Sequence, residues 1–243
     1  MPVLDLANPV RFMKLSDRVL PWLAAAAVAV LCVGFVLAFR APADYQQGET
    51  VRIMYIHVPF AWLGMFGYTM MALSSIGILV WRHPLADVAH KAAAPIGATF
   101  TALCLITGSL WGRPMWGTYW VWDARLTSML VLLLLYLGVM ALRAAIEDPN
   151  RAGRAVAVLT LVGFVNVPIV KFSVDWWNTL HQPASVFRMG GSTIDGSLLW
   201  PLMTCAVGFT LVFLALHMLG MRTEILRRRV QALEARAAAE AMA

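Results

Sequence analysis

Six long apolar runs constrain this chain more than any other feature. They cover about residues 20–39, 60–81, 95–111, 126–142, 155–172 and 197–220. A helix needs about 20 mostly apolar residues to cross the hydrocarbon core of a bilayer. Inside that core every backbone N–H and C=O must find its partner within the protein, and a helix meets this condition within one segment. The runs therefore predict an all-α, polytopic integral membrane protein with six transmembrane helices, built as a single membrane domain over residues 1–243. Composition agrees, with 60% hydrophobic and only 13% charged residues, where a soluble domain carries about 25% charged. The first apolar run is too long for a cleavable signal peptide, and no small-residue cleavage site follows it before Arg40.

The net charge of +6 would suit nucleic acid, but its distribution points to membrane topology instead. Thirteen Lys/Arg fall in the N-terminal segment, the loops 82–94 and 143–154, and the tail 222–243; six lie in or beside the other three loops. Lys and Arg accumulate on the cytoplasmic side of polytopic proteins. Both termini are therefore expected in the cytoplasm, and the loops near residues 45, 117 and 185 outside. Arg227, Arg228 and Arg229 sit where anionic headgroups would attract them, so lipid is an expected partner and nucleic acid is not. Cys32, Cys104 and Cys205 form no C-x-x-C pair. They read as packing residues, and covalent heme attachment of the C-x-x-C-H kind is absent.

Between the third and fourth runs stands the stretch 111–125, WGRPMWGTYWVWDAR. Tryptophan is common at membrane interfaces, which accounts for Trp22, Trp62, Trp81 and Trp200 near predicted helix ends. An interfacial belt does not account for Trp111, Trp116, Trp120 and Trp122 within twelve residues. Together with Tyr119 they read as a platform for a flat aromatic ligand. Gly112 and Gly117 allow close approach or a sharp turn, and Pro114 is expected to break the helix. Asp123 is an acidic group at the membrane's edge, with Arg125 as an available partner.

Loop parity places His57 and His181 on the same outer side as this platform. His83, His90 and His217 fall on the other side and read as surface or packing residues. A lone histidine is more often structural than a ligand, but two flanking a tryptophan platform suit the axial positions of a heme iron. The macrocycle would stack on indoles, and its propionates would seek Arg52, Arg113, Arg125 or Arg188. The chain carries no P-loop, no G-x-S-x-G and no H-E-x-x-H, so nucleotide hydrolysis through a P-loop and the corresponding hydrolase chemistries are excluded.

The pattern Trp111-Gly112, Trp116-Gly117, Tyr119-Trp120, Trp122-Asp123 and Arg125 resembles the tryptophan-rich WWD signature of heme-handling proteins. With VRIMYIHVPFAW around His57 and WWNTLHQPAS around His181, the chain is similar to the CcmC family of cytochrome c maturation system I, over about residues 20–221. The resemblance implies a protein that is not an enzyme. It implies heme b, held without covalent attachment at the periplasmic face of a bacterial inner membrane, with His57 and His181 as axial ligands. The remaining cofactor-binding residues would be Trp111, Gly112, Trp116, Gly117, Tyr119, Trp120, Trp122, Asp123, Arg52 and Arg125. It further implies delivery to the heme chaperone CcmE, association with the small membrane protein CcmD, and ATP hydrolysis by the ABC-type subunits CcmA and CcmB. Two other functions fit the residues alone: a permease for heme or another solute, with Asn166 and Pro168 interrupting the fifth run, or a bis-histidine redox subunit.

Overall fold

The computed structural model of the chain describes residues 8–183 and 185–242. Among the described residues seven α-helices make six segments long and apolar enough to cross a membrane. They are α1 (Pro9–Arg40), α2 (Met54–Trp81), α3 (Pro84–Trp116), α4 (Ala124–Ala145), α5 (Pro149–Gly163), α6 (Asn166–Trp176) and α7 (Gly196–Met242). A short 3-10 helix, Glu49–Ile53, leads into α2, and α5 with α6 forms the fifth crossing.

Most helices run further than the apolar pattern predicts. Residues 84–94, expected as loop, are the first turns of α3. His83 caps them, its Nδ1 accepting from the Leu85 N–H at 3.2 Å, and Pro84 occupies the first helical position. At the other end of α3, Pro114 does not break the helix. It continues to Trp116 and stops at Gly117, whose φ of +75° ends it in a left-handed cap. The loop expected over 143–154 shrinks to the link 146–148, because α4 reaches Ala145 and Asp148 caps α5 through the Arg151 N–H. The fifth crossing is interrupted at Phe164–Val165. There the Asn166 side-chain amide crosses to α4 and donates to the Ser128 carbonyl at 2.9 Å.

α2 is the central helix, packed on α3, α5 and α7. Its contact with α3 is a backbone approach over small residues. A Cβ on Gly64 would lie 2.7 Å from Thr101 Oγ1, and one on Gly67 would lie 2.8 Å from Tyr136 Oη and 3.1 Å from Gly97 Cα. Small residues of this kind let membrane helices come close enough for dispersion to hold them. Tyr136 reaches into the same contact and donates to the Gly64 carbonyl at 2.8 Å. α1 packs mainly on α7, with Gly34 against Cys205 and Gly208 against Leu31.

The end of the bundle that carries both described termini is tied by charge. Asp87 accepts from Arg143 at 2.8 Å and Arg228 at 2.5 Å, while Glu224 binds Lys91, Arg227 and Arg228. His90, expected in a loop, is fully buried on α3 between Thr160 Oγ1 at 2.9 Å and Arg143 at 3.3 Å. His217 is buried too and donates to the Ala89 carbonyl at 3.0 Å. These histidines serve packing.

Two substitutions probe this frame. Gly67→Val overpacks the α2–α3–α4 contact and is expected to cost about 1–3 kcal/mol. His90→Ala removes the ring that accepts from Arg143 on Nδ1 and donates from Nε2 to the buried Thr160 Oγ1, at a similar cost of about 1–3 kcal/mol. Thermal unfolding of the detergent-solubilised protein should show a lower Tm for both.

Candidate ligand site at the tryptophan end of the bundle

At the opposite end, a small, partly open cavity of about 40 Å³ is lined by His57, Leu105, Gly108, Ser109, Trp116, Trp120, Arg125, Leu126, Met129 and His181. Two histidines 124 positions apart in sequence thus meet in one hollow. Each is held there by a different device.

His57 lies in the first turns of α2 and faces α3. Its Nδ1 is 3.1 Å from the Cys104 carbonyl and 3.1 Å from Thr107 Oγ1. A carbonyl oxygen only accepts, so Nδ1 carries the proton and Nε2 is left with a free electron pair. The Thr107 hydroxyl gives its own proton to the Leu103 carbonyl at 2.7 Å, which leaves its oxygen free to accept from the ring. The edge of the ring lies on the α3 backbone, where a Cβ at Gly108 would be 2.8 Å from Cε1. Trp111 stands behind the imidazole at 5.6 Å, and its indole N–H is fixed by Gln47 Oε1 at 2.9 Å.

His181 comes from the irregular segment between α6 and α7. Its Nδ1 is 3.3 Å from Asp123 Oδ2, and its ring meets the Trp116 indole edge-on at 4.8 Å. Burial pushes its pKa below the ordinary histidine value, overriding the upward pull of the Asp123 carboxylate. The ring is therefore neutral at pH 7, its proton lies on Nδ1 toward the carboxylate, and Nε2 is again unprotonated. The other oxygen of Asp123 is also engaged. Oδ1 accepts from the Leu126 N–H at 2.8 Å as the N-cap of α4. The expected partner of Asp123, Arg125, turns elsewhere, donating to Ser173 Oγ at 2.8 Å and to the Lys171 carbonyl at 3.3 Å.

The tryptophan stretch divides its labour. Trp116 and Trp120 line the cavity. Trp120 Nε1 is buried with no hydrogen-bond partner among the described residues. Trp111 and Gly112 belong to α3. Gly112 lets the Trp116 ring lie down on the helix, since a Cβ there would be 2.9 Å from that ring. Tyr119 and Trp122 are exposed, the former under the Arg113 guanidinium. Arg52 pairs with Glu49 at 2.9 Å and is not part of the lining.

The chain matches the family of heme exporter protein C, CcmC, over residues 2–236. It is 67% identical to heme exporter protein C of Bradyrhizobium diazoefficiens over 234 residues, covering 96% of this chain and 89% of the relative. The Escherichia coli K12 protein of the same name is 51% identical over 223 residues, or 91% of this chain and 90% of the relative. This chain belongs to the CcmC family. A third member, from Paracoccus denitrificans, is 46% identical over 97% of this chain and 98% of its own length. In this CcmC-family chain, sequence reasoning missed the groups that orient His57: the Cys104 carbonyl, Thr107 and Gly108. The signal was present as Gly97, Thr101, Cys104 and Gly108, small residues at helical spacing along one face of α3.

The cap can be tested apart from any ligand. Asp123→Ala removes the N-cap of α4 and is expected to lower stability by about 0.5–2 kcal/mol. Asp123→Ser should restore most of that loss, as read by denaturation in detergent.

Proposed function

We propose that this chain binds heme in the cavity between His57 and His181 and hands it on for c-type cytochrome maturation. One observation carries the reading: two imidazoles line a single hollow, each with Nδ1 engaged by an oxygen acceptor and Nε2 free to donate to a metal. Outer partners that hold a histidine in this way are a regular feature of metal-ligating imidazoles.

The donor set favours heme over a bare ion. Among the described residues no group of three or more His, Cys, Asp or Glu stands together as a metal cluster. A bare zinc ion would need three or four protein ligands. Heme iron brings its equatorial ligands with it and asks the protein only for the axial ones. Trp116 and Trp120 supply flat apolar walls, and the unpartnered Trp120 N–H is a donor that a bound acceptor would satisfy. Arg125, already in the lining, is the arginine best placed for a propionate. The other members of the expected set, Trp111, Gly112, Gly117, Tyr119, Trp122, Asp123 and Arg52, would act by shaping the loop, orienting the ligands or meeting a partner.

Heme, with heme b as the form, is cargo in this reading, and the protein is not an enzyme. The relatives' shared name, heme exporter protein C, supports the heme assignment. The further steps follow from the family resemblance: placement in a bacterial inner membrane with the cavity toward the periplasm, transfer to the chaperone CcmE, and association with CcmD, CcmA and CcmB. The permease alternative draws on the break between α5 and α6. That break is bridged by the Asn166–Ser128 bond, and its residues lie outside the cavity lining.

Absorption spectra of the purified protein test the ligand pair. The wild type should show a low-spin, six-coordinate heme. His57→Ala or His181→Ala should convert it to a five-coordinate or weakly ligated one, and His83→Ala should leave it unchanged. If all three variants behaved alike, axial ligation by these histidines would be wrong. The orientation is tested separately by labelling single cysteines in place of Tyr45, Phe187 and Met242, all exposed. The first two should react from the periplasm and the third only from the cytoplasm.

A further inference from the structure

The two imidazoles are held very unequally. His57 rides on a helix and is fixed by main chain: its Nδ1–H is shared by the Cys104 carbonyl and Thr107 Oγ1, both at 3.1 Å. Its ring edge lies on the α3 backbone at Gly108, and Trp111, itself pinned by Gln47, stands behind it. Moving this ring away from the cavity breaks those bonds and works against the tight approach of α2 to α3. His181 has no such frame. It sits in the irregular segment between α6 and α7, with one ring hydrogen bond, a long 3.3 Å contact to a side-chain oxygen of Asp123. Its other ring neighbour is Trp116, itself in the last turn of α3.

We propose that the two axial ligands are released in a fixed order: His181 leaves the iron first, His57 holds it until the receiving protein's ligand is in place, and Asp123 is the positioning residue that sets how firmly His181 holds. This rests on the heme reading of the same cavity. Release on the His181 side breaks only the bond between iron and Nε2, and the electron pair remains on the nitrogen. The vacated position then accepts an electron pair from a ligand of the receiving protein. No oxidation and no net proton movement are needed. The proton on Nδ1 stays between His181 and Asp123 throughout, so the freed imidazole remains neutral and ready to rebind. The heme is meanwhile retained by His57 and the indole walls, and it departs when the bond between iron and His57 Nε2 breaks in its turn, that electron pair also staying on the nitrogen.

Asp123 fits the positioning role because its two oxygens do separate work, Oδ1 capping α4 and Oδ2 meeting His181. Asp123→Asn keeps the capping oxygen but turns an N–H toward His181 Nδ1. The imidazole must then accept on Nδ1 and carry its proton on Nε2, which removes the electron pair the iron needs. Asp123→Ser keeps a good cap and is too short to reach the ring.

The test uses the heme-loaded, chemically reduced protein mixed with carbon monoxide. In the wild type the binding rate is limited by departure of the weaker imidazole. Asp123→Asn and Asp123→Ser should raise it about 10–100-fold, the usual effect of removing an outer partner of a metal-bound histidine. His181→Gly should keep its heme and bind carbon monoxide at once, whereas His57→Gly should retain clearly less heme than His181→Gly after the same purification. Nitrogen NMR of the imidazoles in the heme-free protein gives a readout that stability alone would not move. Asp123→Asn should shift the His181 proton to Nε2 and leave that of His57 on Nδ1. Wild-type exchange rates in both Asp123 variants would overturn the proposal, as would heme retention by His57→Gly with loss from His181→Gly. Wild-type protein that takes up no heme would instead overturn the underlying heme reading, and is recognised before any variant is compared.

Discussion

The site depends on how closely α2 and α3 approach. Gly64 and Gly67 on one helix and Gly97 and Thr101 on the other leave no room for larger side chains. The same register, continued toward the tryptophan end, brings His57 onto Gly108 and within reach of the Cys104 carbonyl. Most carbonyls inside a membrane helix are used up by the helix itself. Cys104 can accept a second hydrogen bond because a carbonyl oxygen has two lone pairs. A packing contact therefore becomes a device for orienting an imidazole, with no side-chain acceptor invested beyond Thr107.

The two ends of the bundle are built on different physics. At the end with the described termini, Asp87 and Glu224 gather arginines and a lysine from α3, α4 and α7 into paired, partly buried charges. At the other end the hollow has a single Lys/Arg/Asp/Glu side chain in its lining, Arg125, and aromatic rings, a cap and two histidines shape a mostly apolar space. Close electrostatic pairing suits an end that must hold helices in one arrangement. Rings that meet edge-on and a histidine borne on an irregular segment leave the other end freer to adjust.

Six crossings, the aromatic cluster and the meeting of His57 and His181 at its end of the bundle were legible in the sequence because they are written in local terms: run length, residue type and loop parity. Helix extent was not, since hydropathy treats Asp87, His90 and Lys91 as loop residues. Their burial depends on Arg143, Thr160 and Glu224, which lie far away in sequence. Pro114 misled for a related reason, because a proline in the last turn of a helix need only leave one carbonyl free. Within the tryptophan stretch, composition could not say which rings face inward. Trp116 and Trp120 line the cavity while Trp122 is exposed, a division set by the cap at Gly117 and the turn that follows it. The partner of Asp123 was missed because His181 lies 58 positions away in sequence, while the nearby Arg125 donates to Ser173 and the Lys171 carbonyl instead.

The last helix has a mechanical consequence. α7 runs 47 residues from Gly196 to Met242 without interruption, a rod of about 70 Å at 1.5 Å per residue. Beyond its middle it is bolted to α3 through Glu224 and Arg228. The turns past that clamp are almost wholly exposed and project beyond the bundle, roughly 20 Å of stiff arm. An arm of this kind is a spacer and not a tether: whatever is attached at its tip is held at a set height and swings only as the bundle swings.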